Sequence, residues 1–134
     1  MNLREQILAY LYKKDGSTAE EISRDLRVDK DEVEAVLNRL KSEGFVTKKI
    51  KGILSKKEAY FLTPSGLEEA KIAYEKVENK AKEIQKALED GELDIALLPA
   101  EVIALLPLMT SISLIDFILL EDILAESSFD SDIS

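Results

Sequence analysis

The sequence contains neither cysteine nor histidine. That inventory excludes disulfides, thiolate nucleophiles, histidine-based triads, an imidazole general base and zinc held by nitrogen or sulfur ligands. Glycine is scarce as well: of the five in the chain, none stands in the spacing that cradles a phosphate. Carboxylates are plentiful, yet clusters such as Glu20-Glu21 and Glu121-Asp122 are immediate neighbours that point to different faces of a helix. They form no paired-carboxylate site, and no spacing suggests a hard-cation site. The expectation is a protein without enzymatic activity, cofactor or metal.

Long hydrophobic runs are also missing. The longest stretch without a charge, Val102 to Ile115, has fourteen residues and contains Pro107, against ~20 needed for a bilayer-spanning helix. A span over Ile95 to Leu120 would bury Glu101 and Asp116, although Lys80, Lys82 and Lys86 on its N-terminal side do suit a positive-inside layout. Arg4 and Glu5 interrupt the apolar N-terminus and no small-residue cleavage pattern follows, so no signal peptide is read. A cytoplasmic location without a membrane partner is expected. Basic residues are the third shortage: net charge is −9, and from Glu89 to Ser134 there are eleven acids and no Lys or Arg. Up to Gly66 the balance is 13 basic to 11 acidic residues, and beyond it 5 to 16. Such asymmetry implies different partners for the two ends, with only the front half suited to nucleic acid.

What is present is organised around Ser17 to Val46. Ser17 followed by Glu20, and Asp29 followed by Glu32, are capping-box patterns that open two helices, and Gly44 stops the second. Ala19, Ile22 and Leu26 share a face of the first helix; Val33, Val36, Leu37 and Leu40 share a face of the second. The two stripes need a third helix, which Leu3, Ile7, Leu8 and Leu11 supply over Leu3 to Lys14, with Asp15-Gly16 as its stop. Tyr10 and Tyr12 lie beside that stripe as half-buried packing residues.

After Gly44 the pattern turns extended. Phe45-Val46-Thr47 and Ile50 form one strand, Gly52 permits a turn, and Glu58 to Thr63 returns as a second strand. This hairpin carries Lys48, Lys49, Lys51, Lys56 and Lys57 at its tip against the single acid Glu58, a ribbon able to follow a phosphate backbone. Thr63 then caps a long helix with Pro64 at its first position. Along it Leu67, Ala70, Tyr74, Val77, Ala81, Ile84 and Leu88 recur as a heptad seam. The seam fits a helix lying on its own domain or a pairing of two subunits; its narrowness and its densely charged flanks favour a homodimer.

Past Glu89-Asp90-Gly91 the composition becomes apolar and acidic, punctuated by Pro99 and Pro107, and short helices packed on the long helix or on a second subunit are expected. The chain divides into residues 1–66, a winged helix-turn-helix; 67–90, a dimerisation helix; 91–126, an apolar acidic helical segment; and 127–134, a disordered tail rich in serine and aspartate. The fold class is mainly α with a small β-hairpin wing.

The run Tyr60 to Gly66, YFLTPSG, is similar to the Y-x-L-T-x-x-G that closes the wing in the MarR and PadR families of transcriptional regulators. The resemblance covers Leu3 to about Tyr74 and implies a dimer joined through terminal helices, with a recognition helix in each major groove and the wing along the backbone or minor groove. On the second helix the outward centre falls on Asp31, Ala35, Asn38 and Ser42, flanked by Glu34 and Arg39. Asn38 suits adenine and Arg39 guanine. Ser17 and Thr18 would touch phosphate, with Lys30 beside them. Asp31 and Glu34 fit DNA poorly, although Asp31 also complements the helix dipole. The function expected is a sequence-specific regulator acting as a homodimer on a pseudo-palindromic stretch of double-stranded DNA. A winged-helix adaptor, docking a partner through its acidic recognition helix and apolar C-terminal segment, is the alternative. That segment would otherwise receive a small-molecule effector or a protein partner.

Overall fold

The computed structural model describes residues 1–94 and 97–115. The order is α1 (Leu3–Lys13), β1 (Ser17–Thr18), α2 (Ala19–Leu26), α3 (Lys30–Ser42), β2 (Val46–Lys51), β3 (Lys57–Leu62), α4 (Pro64–Glu89) and α5 (Ala100–Ser111). The three strands form an antiparallel sheet in the order β1-β3-β2.

The helix boundaries follow from capping chemistry. Asn2 accepts from the Glu5 amide to open α1, and Asp29 accepts from Asp31 to open α3. Helix α2 departs from expectation by one residue. Thr18, not Ser17, is its cap, accepting from the Glu21 amide at 3.1 Å while its hydroxyl lies 3.3 Å from the Glu21 carboxylate. The helix starts one residue later because an unanticipated strand, β1, holds both residues extended, Ser17 facing Tyr60 and Thr18 facing Ala59, so that the first helical residue is Ala19 and its cap is Thr18. Helix α3 ends in a Schellman motif: Phe45 N–H bonds the Leu40 carbonyl and Gly44 N–H the Lys41 carbonyl, with Gly44 at φ 81°.

The core forms where the expected stripes meet. Ile7, Leu8 and Leu11 of α1 join Ile22, Val33, Leu37 and Leu40, all essentially inaccessible to water; Val36 is only half-buried. Burying each such aliphatic side chain contributes at most ~1.5–3 kcal/mol. Tyr10 is fully buried rather than half-buried, because its hydroxyl can donate to Asp25 at 2.7 Å. Tyr12 stays half-buried and stacks on Tyr74, with ring centroids 4.9 Å apart.

The heptad seam takes the intramolecular course. Ala70, Val77, Ala81, Ile84 and Leu88 are buried within one chain, Tyr74 is half-buried, and Leu67 is 50% exposed. Helix α1 is the main element packed on α4, with Tyr12 stacked on Tyr74, and α5 adds to the packing. The five buried positions are thus covered within one chain, where the sequence favoured a second subunit. An amphipathic stripe carries no mark of which chain its partner comes from.

Helix α5 is one of the short helices expected here, and Pro107 lies inside it. The proline removes the bond to the Ile103 carbonyl, and Ile103 is an exposed residue, where water can take that place. The remainder of the apolar segment from Asp116 onward, and the tail 127–134, lie outside the described residues.

Candidate nucleic-acid interface

Helix α3 is held on its buried side by Val33, Leu37 and Leu40, and this fixes which residues face outward. Lys30, Asp31, Ala35, Asn38, Arg39, Lys41 and Ser42 are exposed. Among the described residues, Asn38 and Arg39 make no side-chain hydrogen bond or ion pair, so their donors and acceptors are open to solvent. Lys30 is otherwise placed. Its ammonium lies 3.3 Å from Glu20 and 3.7 Å from Glu34, and the hydrogen bond to Glu20, helped by the Glu34 charge, pushes its pKa above the ordinary lysine range. The acidity of the helix start is thereby partly neutralised by the chain itself.

Two expected phosphate contacts are changed by the fold. Ser17 is only 4% exposed and its hydroxyl donates to the Lys14 carbonyl. Thr18 is 7% exposed, with its hydroxyl engaged in the α2 cap. Neither hydroxyl is placed to greet a phosphate, because the short strand β1 turns both residues inward.

The hairpin lysines spread over both faces of the ribbon rather than gathering at the tip. Register places Lys48 with Tyr60 on one face, and Lys49 with Ala59 on the other. Lys48 pairs with Glu58 at 3.5 Å, Lys49 stands 5.6 Å over the Phe61 ring, and Lys51 donates to the Gly16 carbonyl at 3.1 Å. Lys56 and Lys57 have no hydrogen-bond or ion-pair partner among the described residues. Lys57 faces Lys51 in the ladder, with the Lys51 ammonium engaged by the Gly16 carbonyl.

Between the hairpin and the starts of α2 and α3 lies a cleft of about 260 Å³, lined by Thr18, Glu20, Lys30, Glu34, Lys57 and Tyr60, among others. Tyr60 is nearly buried, and that burial pushes its phenol up. A second concavity, of about 310 Å³, lies between α4 and the segment leading into α5. Its walls are mostly apolar, with Ile84, Ala87, Leu93, Leu98, Pro99 and Val102, and Lys80 and Glu83 at hand. No group of residues able to hold a metal occurs among the described residues, and no helix there is long and apolar enough to cross a membrane.

The arrangement is thus a helix pair with an outward face on its second member, flanked by a basic two-stranded ribbon. Residues 5–64 match the family described as Sugar-specific transcriptional regulator TrmB. This part of the chain has a winged helix-turn-helix fold and is similar to that family. The match ends at Pro64, and more than half of the chain lies outside it. Among solved structures, FabT of Streptococcus pneumoniae, determined in complex with DNA, aligns at 16% identity over 100% of this chain and 78% of its own, with a TM-score of 0.50. SSV1 F-93 aligns at 20% identity over 59% of this chain and 89% of its own, with a TM-score of 0.48. The transcriptional regulator Tm0710 from Thermotoga maritima gives 24% identity over 66% and 61%, with a TM-score of 0.47. The FabT likeness supports the fold and nothing beyond it. None of the curated proteins matches the chain significantly.

The sequence reading passed over several exposed residues. Lys41 extends the basic end of α3, and Ile53 and Leu54 stand fully in water at the hairpin tip. The signal for the latter pair was present, as two adjacent aliphatics in a turn between Lys51 and Lys56.

Proposed function

We propose that the chain is a sequence-specific DNA-binding transcriptional regulator acting as a homodimer on a pseudo-palindromic operator. The observation that carries this reading is the outward face of α3: Asn38 and Arg39 are exposed and unpaired among the described residues, on the second helix of a helix-turn-helix beside a basic wing. In a major groove Asn38 would read adenine and Arg39 guanine, each through two hydrogen bonds, while Ala35 would lie close to base edges. Lys56 and Lys57 would meet phosphate most readily, since neither has a competing partner among the described residues, and Lys48, Lys49 and Lys51 would add to the field.

Two-fold pairing would use surfaces other than the buried part of the α4 seam. Leu67 and Ile72, both about half exposed on α4, are apolar positions left open for it. The family description names sugar, but the matched residues stop at the first residue of α4. The groove between α4 and the segment leading into α5 offers mostly apolar walls with Lys80 and Glu83 at hand, which suits a largely apolar effector carrying few polar groups.

Selection of duplexes from a randomised library by the full chain tests the reading. Enrichment of a shared inverted repeat is the expected result. Enrichment of a single half-site would remove the homodimer, and absence of any enriched duplex at low salt would remove DNA binding in favour of a protein-docking module.

A further inference from the structure

We propose that Ile53 and Leu54 form an apolar wedge that enters the minor groove of double-stranded DNA and opens one base step. The proposal rests on the DNA-binding reading above and adds a mode of contact to it. Lone aliphatic side chains on a surface are ordinary, but these two are adjacent, 93% and 100% exposed, and stand at the apex of a hairpin. Ile50, at the edge of the same hairpin, is exposed as well. The turn that presents them is tight. Gly52 has φ 103°, and the Ser55 carbonyl closes over it so nearly that any side chain at Gly52 would overlap that oxygen.

Charge identifies the partner. Lys56 and Lys57 follow the tip with no competing hydrogen-bond or ion-pair partner among the described residues, so unpaired cations stand beside an apolar point, while the Lys51 ammonium on the other strand is bonded to the Gly16 carbonyl. A minor groove offers both partners at once, a phosphate rail beside a floor of stacked bases, within a width of ~6 Å. A wedge two side chains across matches such a slot. An anionic membrane shares the chemistry of cation and apolar contact, but binding there grows with the apolar area buried, and the apex offers little. Insertion of Ile or Leu between bases bends a duplex by about 20–90° toward the major groove. The step that opens most readily is pyrimidine–purine, so the wing would favour TA or CA/TG at its landing position without a hydrogen bond to either base.

The test uses the full chain and the duplex it enriches from a randomised library, end-labelled for energy transfer and carrying 2-aminopurine at the pyrimidine–purine steps. Binding should bring the ends together and raise 2-aminopurine emission at one step per wing. The Ile53→Ser/Leu54→Ser variant should bind with the same salt dependence but lose both signals, and replacing that step in the duplex should weaken the parent chain while leaving the variant unaffected. Retention of bend and emission by the variant overturns the wedge while DNA binding stands. Should the parent chain enrich no duplex, the DNA-binding reading and the wedge fall together. Binding to phosphatidylserine vesicles that the variant loses, with DNA shape unchanged in both, would assign the apex to a membrane surface and also overturn the proposal.

Discussion

Gly66 packs directly on the main-chain carbonyl of Phe45: a side chain at position 66 would overlap the Phe45 oxygen. The same carbonyl accepts the Thr63 amide at 3.0 Å, while the Thr63 hydroxyl donates to Gly44 at 2.6 Å and accepts from Gly66 N–H at 3.0 Å. This small lattice joins the end of α3, the base of the wing and the start of α4. It also gives physical content to the L-T-x-x-G run, in which Thr63 is both cap and latch and Gly66 is a contact that tolerates no Cβ.

Gly66→Ala should therefore destabilise the protein by ~1–3 kcal/mol, near the top of that range because a main-chain carbonyl cannot rotate away. By helix propensity alone the change would stabilise, so the sign decides. Gly44→Ala is the control: a Cβ there meets nothing, and the cost should be ~1–2 kcal/mol from its positive φ alone. Urea unfolding of both variants measures the difference.

Much of this architecture was legible because it rests on local chemistry. Asp29, Thr63 and Gly44 announce their roles by residue type and by distance from an apolar stripe, and the stripes on α1, α2 and α3 meet as their periodicity implies. The one-residue error at the α2 cap arose because Ser17 and Thr18 are both good caps, and only pairing with β3, a long-range event, removes Ser17 from the contest. The partner of the α4 seam was illegible for a related reason. Val77 and Ile84 specify a buried face, and α1 and α5 of the same chain pack on α4. In the candidate site, Asn38 and Arg39 could be projected outward from helical geometry, whereas the pairing of Lys30 with Glu20 needed the folded positions of two helices.

That packing has a measurable consequence. Ile84→Ala should remove ~2–5 kcal/mol of folding stability, and the loss should be the same at low and high protein concentration. A loss confined to dilute protein would mean that the seam is shared between subunits. Thermal unfolding over a concentration series distinguishes the two.

The Tyr10–Asp25 hydrogen bond ties α1 to α2 and should make stability depend on pH at both extremes. Partial burial works against the Asp25 charge, but the Tyr10 hydroxyl together with Lys14 and Arg24 outweighs it and holds the carboxyl below its ordinary range. A lowered carboxylate pKa contributes stability that is present above ~pH 4 and lost as pH falls through the folded value. Burial, then the bond to Asp25, pushes the Tyr10 phenol up, and a raised phenol contributes stability that is full below ~pH 10 and lost as pH rises beyond it. Tyr10→Phe should flatten both limbs, read as unfolding free energy against pH.

For the interface, Arg39→Ala or Asn38→Ala should relax discrimination at single base pairs by ~1–3 kcal/mol without changing the salt dependence. Lys56→Gln/Lys57→Gln should weaken all duplexes alike and reduce the salt slope by about 2. Competition binding with point-substituted duplexes separates the two classes of contact.

The most direct test is a salt series of binding to an enriched duplex and to a scrambled duplex of equal length, with the parent chain and with Arg39→Ala. The account requires the parent to prefer the enriched duplex at every salt concentration, both affinities to fall as salt rises, and Arg39→Ala to narrow that preference by ~1–3 kcal/mol while keeping its affinity for scrambled DNA. Equal affinity of the parent for both duplexes, or binding to neither at low salt, would contradict it.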